Sequence, residues 1–174
     1  VYIGSTHPLL REPEWAYFFH GEDGMGNMHY PDASLTLAKE NAIIAFIEAV
    51  RAHAGDINLV TLGPLTNIAL ALRIAPDIAK KISMCYTMGG AAVTLGNVSP
   101  AAEYNIYIDP EAAKIVFHSG IPLLMVGWEH CMGDANFSAN EMEMMRSFKT
   151  KYADFTLDCN ATAIETNKNW LGEP

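Results

Sequence analysis

"INLVTLGPLTNIALALRIAPDIAKKISMCYTMGG", residues 57–90, sets two apolar runs on either side of a helical segment. Its first part, "INLVTLG" (57–63), is a short apolar run of strand-forming residues ended by Gly63-Pro64. Thr66 can then cap a helix that runs to about Arg73, and Pro76 lies just beyond it. "ISMCYTM" (82–88) is a second strand-like run, halted by Gly89-Gly90. A strand, a helix and a second strand of continuous apolar character predict a βαβ unit and a parallel pair.

Working outward, the pattern repeats. Upstream, "LTLAKENAIIAFIEAVRAHA" (35–54) carries apolar residues at helical spacing and stops at Gly55-Asp56. Downstream, "AEYNIYIDPEAA" (102–113) reads first as a strand. Tyr104, Ile106 and Ile108 alternate there with Glu103, Asn105, Tyr107 and Asp109. Asp109-Pro110-Glu111 then opens a helix, "EAAKIVFHSG" (111–120), which Gly120 ends. "IPLLMVG" (121–127) is a third buried strand, and "SANEMEMMRSFKTKYADFTLDCNATAIETN" (138–167) one long amphipathic helix. The fold expected is α/β, an open and mostly parallel sheet with flanking helices, in a single domain over residues 1–174.

The chain has 174 residues, half of them hydrophobic and 18% charged, enough to bury a core. Eleven Lys and Arg against 20 Asp and Glu leave a formal charge of −9, which argues against nucleic acid or an anionic membrane as partner. No apolar run is long enough to cross a bilayer. Cys85, Cys131 and Cys159 are odd in number and widely spaced, which suits buried free thiols better than a disulfide framework or structural zinc. Asn97, Asn136 and Asn160 each head an N-x-S/T triplet, relevant only to a secreted chain. These features do not fix a compartment.

In parallel sheets ligands bind beyond the carboxyl ends of the strands. That directs attention to Thr61–Pro64, to Met88–Gly90 and to the loop from Asn97 to Asn105. Near Thr61 the turn exposes backbone carbonyls, which suit a hard cation such as Ca²⁺, although on spacing alone ordinary strand-to-helix chemistry is the better reading. "HGEDGMGN" (20–27) surrounds His20 with glycines and acids; alone it is a solvated turn, and the lack of a following P-loop Lys, with acids that repel phosphate, argues against a phosphate cradle. Asn97, Glu103 and Asn105 offer two amides and a carboxylate within nine residues, behind a glycine pair that lets a ligand approach. Asp109 is explained as a helix cap. Glu103 and Asn105 have no such explanation, and together they suit the vicinal hydroxyls of a sugar.

Four stretches in order, "HGEDGMGN", "VTLGPLTNIALAL", "MGGAA…GN" and "AEYNIYIDPEAAKIVF", resemble the inosine-uridine-type nucleoside hydrolases. The resemblance spans most of residues 1–127 and becomes general after about Gly127. It implies a Rossmann-like nucleoside hydrolase fold. It also implies that the Thr61 carbonyl helps bind a catalytic Ca²⁺ and that Met88 packs against ribose. By the same resemblance Asn97, Glu103 and Asn105 bond the ribose hydroxyls, and His20 lies near the nucleobase. Trp15 could stack on the base, though a plain core or surface aromatic is the simpler reading. A small-molecule ribonucleoside is the implied partner, and a homodimer or homotetramer the implied assembly.

Members of that family open on an aspartate-rich D-x-D-x-x-x-D-D motif and carry a later His–Asp pair, and neither has a match here. "VYIGSTHPLL" (1–10) is similar to an internal strand. The expectation is the middle part of a longer hydrolase, or a natural truncation, with no certain catalytic residue of its own. The alternative is a non-catalytic ribose- or nucleoside-binding relic that lacks the metal carboxylates, and a third, weaker option is a purely structural or interaction domain.

Overall fold

A computed structural model describes residues 1–171. In chain order the helices are α1 (Tyr17–His20), α2 (Ala42–Ala52), α3 (Thr66–Ile74), α4 (Tyr104–Ile108), α5 (Pro110–Phe117), α6 (Ala139–Ser147), α7 (Lys151–Asp158) and α8 (Ala161–Leu171). The strands are β1 (Ile57–Thr61), β2 (Ile82–Met88) and β3 (Leu123–Val126), and short 3₁₀ segments lie at Pro76–Lys81, Trp128–Cys131 and Gly133–Ala135. The described residues fall into two compact units. One comprises Val1–Pro13 and Leu35–Met132, the other Glu14–Ser34 and the chain from Gly133 on.

The first unit is the α/β body. Its three strands lie in the order β1-β2-β3, all parallel, with Thr61 opposite Thr87 and Met88 opposite Val126. Residues 57–90 therefore form the expected parallel strand–helix–strand unit. On one sheet face Leu59, Cys85 and Leu123 stand in register and pack into a core with α2, α3, α5 and the Pro76–Lys81 turn. Val50, Ala69, Ala71, Ile78, Ala112 and Val116 are fully buried there. Each of the larger aliphatics contributes roughly 1.5–3 kcal/mol by leaving water.

The opposite face differs from expectation. Val60, Tyr86 and Leu124 form a row across the three strands and are 59%, 39% and 46% exposed. "IPLLMVG" is thus a strand covered on one side, because the core helices of this unit gather on the other face.

Three other expectations are corrected. The 35–54 helix begins only at Ala42, where the Asn41 side chain accepts from the Ile43 N–H at 2.8 Å. Instead the chain start pairs with the approach to the helix and its first residue, through Ala38 N–H to Val1 O and Ala42 N–H to Ile3 O, both 2.9 Å. Thr66 is the first helical residue of α3, and its hydroxyl serves Asp109 instead of capping. The 138–167 helix is three helices: Lys149 takes a positive φ of 49°, and Thr150 caps a new start by accepting from Ala153 N–H. Apolar spacing does not register such breaks, because capping residues also occur on exposed helix faces.

In the second unit, Ser138 and Glu141 form a reciprocal capping box at the start of α6. The Ser138 N–H and hydroxyl donate to Glu141 and hold its carboxyl below the usual carboxylate range. Arg146 bonds Asp154 and Asp158, tying α6 to α7. No helix of the described residues is long and apolar enough to cross a membrane.

Candidate active site

The "AEYNIYID" stretch is not a strand. Residues 104–108 form the short helix α4, and Glu103 is its N-cap. Glu103 has a reason to be where it is that sequence reading missed: its Oε2 accepts from Asn105 N–H at 2.9 Å and Ile106 N–H at 3.4 Å. A two-residue alternation over so few positions does not distinguish strand from helix, since Tyr104 and Ile108 lie one helical turn apart in α4. The later part of the reading holds. Asp109 Oδ1 accepts from Ala112 N–H at 2.9 Å, with Pro110 at the first turn of α5.

The same Glu103 oxygen also accepts from Gly90 N–H at 2.9 Å, so one carboxylate joins the end of β2 to the start of α4. The carboxylate is only 2% exposed, and three backbone donors satisfy a charge that burial would otherwise penalise. The glycine pair makes this possible. Gly90 has φ +81°, and a Cβ there would meet Met125 Sδ at 2.9 Å; at Gly89, with φ +155°, it would meet Glu103 Oε2 at 3.3 Å. Nearby, burial first and the Glu103 charge second push the Cys131 thiol pKa up.

Asn105 turns back to β2. Its Nδ2 donates to Met88 O at 3.2 Å and lies 3.2 Å from Met88 Sδ. Among the described residues its Oδ1 has no bonding partner, and neither has Glu103 Oε1. Both atoms are acceptors. Asn97 is exposed and spends its Oδ1 on Tyr104 N–H at 2.9 Å, which brings the 91–102 loop back onto α4. Three of the sequence candidates, Met88, Glu103 and Asn105, are thus directly linked, and Asn97 reaches them only through Tyr104.

Thr61 ends β1 and reaches the cluster indirectly. Its hydroxyl donates to Thr87 Oγ1 at 2.7 Å, and Thr87 immediately precedes Met88. The pair is buried, at 8% and 1% exposure. Ca²⁺ takes six to eight oxygens. Among the described residues no three His, Cys, Asp or Glu side chains converge to hold a metal. The Thr61 carbonyl alone does not make such a coordination sphere.

His20 belongs to the second unit, where it ends α1, is exposed, and meets Phe19 edge-on at 5.1 Å between ring centroids. The adjoining loop is organised by Asp23, which accepts from Met25, Asn27 and His29 N–H groups at 2.8–2.9 Å. The bonds from His29 and then Met25 hold its carboxyl below the ordinary range. Trp15 is 57% exposed and stacks on Tyr17. All three cysteines are free, and only Cys85 is fully buried.

Comparison with known proteins agrees with this architecture. The family described as inosine-uridine preferring nucleoside hydrolase matches residues 1–172. A probable uridine nucleosidase 1 of Oryza sativa subsp. japonica is 42% identical over 156 residues, covering 89% of this chain and 48% of the relative. The pyrimidine-specific ribonucleoside hydrolase RihB of Escherichia coli O1:K1 / APEC is 43% identical over 127 residues, covering 73% and 40% respectively. Among solved structures, the plant nucleoside hydrolase PpNRh1 superposes with a TM-score of 0.91 at 32% identity, covering 99% of this chain and 55% of that one. A purine-preferring ribonucleoside hydrolase from Gardnerella vaginalis gives 0.87 at 33% identity, covering 97% and 54%. The chain spans about half the length of the curated relatives it matches. With a match along nearly its whole length and the parallel sheet in place, the chain belongs to the inosine-uridine preferring nucleoside hydrolase family.

Proposed function

We propose that the protein containing this chain hydrolyses the N-glycosidic bond of a ribonucleoside, releasing ribose and a free base. The observation that carries this reading is the linked set of Met88, Glu103 and Asn105 at the carboxyl end of β2. It presents two acceptor oxygens, Glu103 Oε1 and Asn105 Oδ1, beside an apolar thioether. Vicinal ribose hydroxyls donate to the two oxygens, Asn97 contacts a further hydroxyl through its Nδ2, and Met88 lies under the sugar. Breaking the bond develops oxocarbenium character at the sugar carbon. A buried carboxylate and an oriented amide hold the sugar in place before that barrier is climbed.

His20 is the proposed base contact. The relatives' names include uridine, pyrimidine and purine substrates, so the proposal is a ribonucleoside without a preferred base. It extends to Ca²⁺ as cofactor with the Thr61 carbonyl as one ligand, to a homodimer or homotetramer, and to this chain as part of one longer nucleoside hydrolase domain.

The test is base release from inosine and uridine by the full-length protein, with and without chelator. No release from either nucleoside refutes hydrolysis, and ribose binding without release identifies a nucleoside-binding relic instead. Release indifferent to calcium removal refutes the metal. Asn105→Ala is expected to weaken ribose binding without unfolding the chain, and parental binding would show the site is misplaced.

A further inference from the structure

A helix of five residues does not hold its place by its own hydrogen bonds. Helix α4, which carries Asn105, is strung between two buried carboxylates. Glu103 at its N-terminal end is tied to Gly90 N–H, as described. Asp109 at its C-terminal end is fully buried and does more than cap α5. Its Oδ2 accepts from the Thr66 hydroxyl at 2.6 Å and from Leu9 N–H at 2.9 Å. The short Thr66 contact has the length of a charge-assisted hydroxyl–carboxylate bond. Thr66 opens α3, directly after the turn that follows Thr61.

We infer that Asp109 and Thr66 are a positioning pair for the sugar site: their buried bond sets where Asn105 stands relative to the turn after β1. Neither residue touches substrate. Asp109 fixes the far end of α4 as Glu103 fixes the near end, and both anchors lead to a strand terminus, of β1 through Thr66 and of β2 through Gly90. Asn105 then has one direction in which to present its Oδ1. The inference rests on the proposed ribose-binding role of Asn105.

Thr66→Val keeps the shape of the side chain and removes the hydroxyl, while Thr66→Ser keeps the hydroxyl. In the full-length protein, Thr66→Val is expected to raise KM for a ribonucleoside about tenfold, since small misplacements of positioning groups are costly. kcat per folded molecule stays within about twofold, and Thr66→Ser returns KM to the parental value. A merely structural role would lower the melting temperature and the folded fraction without moving KM, and that result overturns the inference. If the parent protein releases no base, the hydrolase reading fails first. The positioning claim is then decided by amide hydrogen exchange, which does not depend on activity. Faster exchange at Tyr107 and Ile108 in Thr66→Val, restored in Thr66→Ser, supports it, and unchanged exchange refutes it.

Discussion

Replacing Glu103 by Gln tests the centre of the site and the physics proposed for it. In the parent, Oε2 accepts two bonds of 2.9 Å, from Gly90 and Asn105, and a longer one of 3.4 Å from Ile106. If the Gln amide oxygen takes that position, all three bonds persist but the acceptor loses its charge. Bonds to a charged acceptor contribute about 1.5–3 kcal/mol and neutral ones about 0.5–1.5, so the two short bonds together lose about 2 kcal/mol. The long bond adds little. Relief from burying a charge offsets part of this, leaving a net cost of about 1–2 kcal/mol. For a chain of this size that lowers Tm by roughly 2–8 °C, read by thermal unfolding at neutral pH. Ribose affinity should fall as well, because an amide in place of Oε1 offers a donor where the sugar hydroxyl needs an acceptor. The reasoning is refuted if Glu103→Gln melts within about 1 °C of the parent and binds ribose equally well.

Two further predictions concern other parts of the chain. Thr87→Val leaves the buried Thr61 hydroxyl without its acceptor and should cost about 1–3 kcal/mol in denaturant unfolding, whereas the double change Thr61→Val/Thr87→Val should recover most of it. A double variant as unstable as the sum of its parts would show that the pair does not bond as described. The Asp23 loop should depend on acid in one direction. Its carboxyl is held below the ordinary 3.8, so its contribution is fully present above that value and is lost as pH falls through the lowered one. Amide exchange at Met25, Asn27 and His29 should therefore accelerate only below about pH 4, while Asp23→Ala should show fast exchange already at neutral pH. Slow exchange in the variant would refute the role of Asp23.

Much of the fold follows from residues 57–90 alone. Apolar strands, a helix with glycine and proline at its borders, and lengths suited to a crossover admit a parallel pair and little else. The turn chemistry of Asp109-Pro110 was equally local, and it stands. The candidate residues stood out in the sequence as types: a carboxylate and two amides close together near a glycine pair. Their geometry was not. Glu103 looked like a side chain without structural employment, yet it binds Gly90 N–H thirteen residues away. That bond depends on where the β2 turn and α4 meet, and no spacing along the chain reports it.

Local preferences are written in the residues themselves: which segments are apolar, where turns must fall, and which polar groups lie close in the chain. Packing alone selects which of those polar groups become anchors. Asp109 finds Thr66 and Leu9, residues 43 and 100 positions away, because β1, β2 and their helices bring three distant segments to one buried point. A buried carboxylate must take whatever donors surround it, and those donors are chosen by packing, not by sequence neighbours.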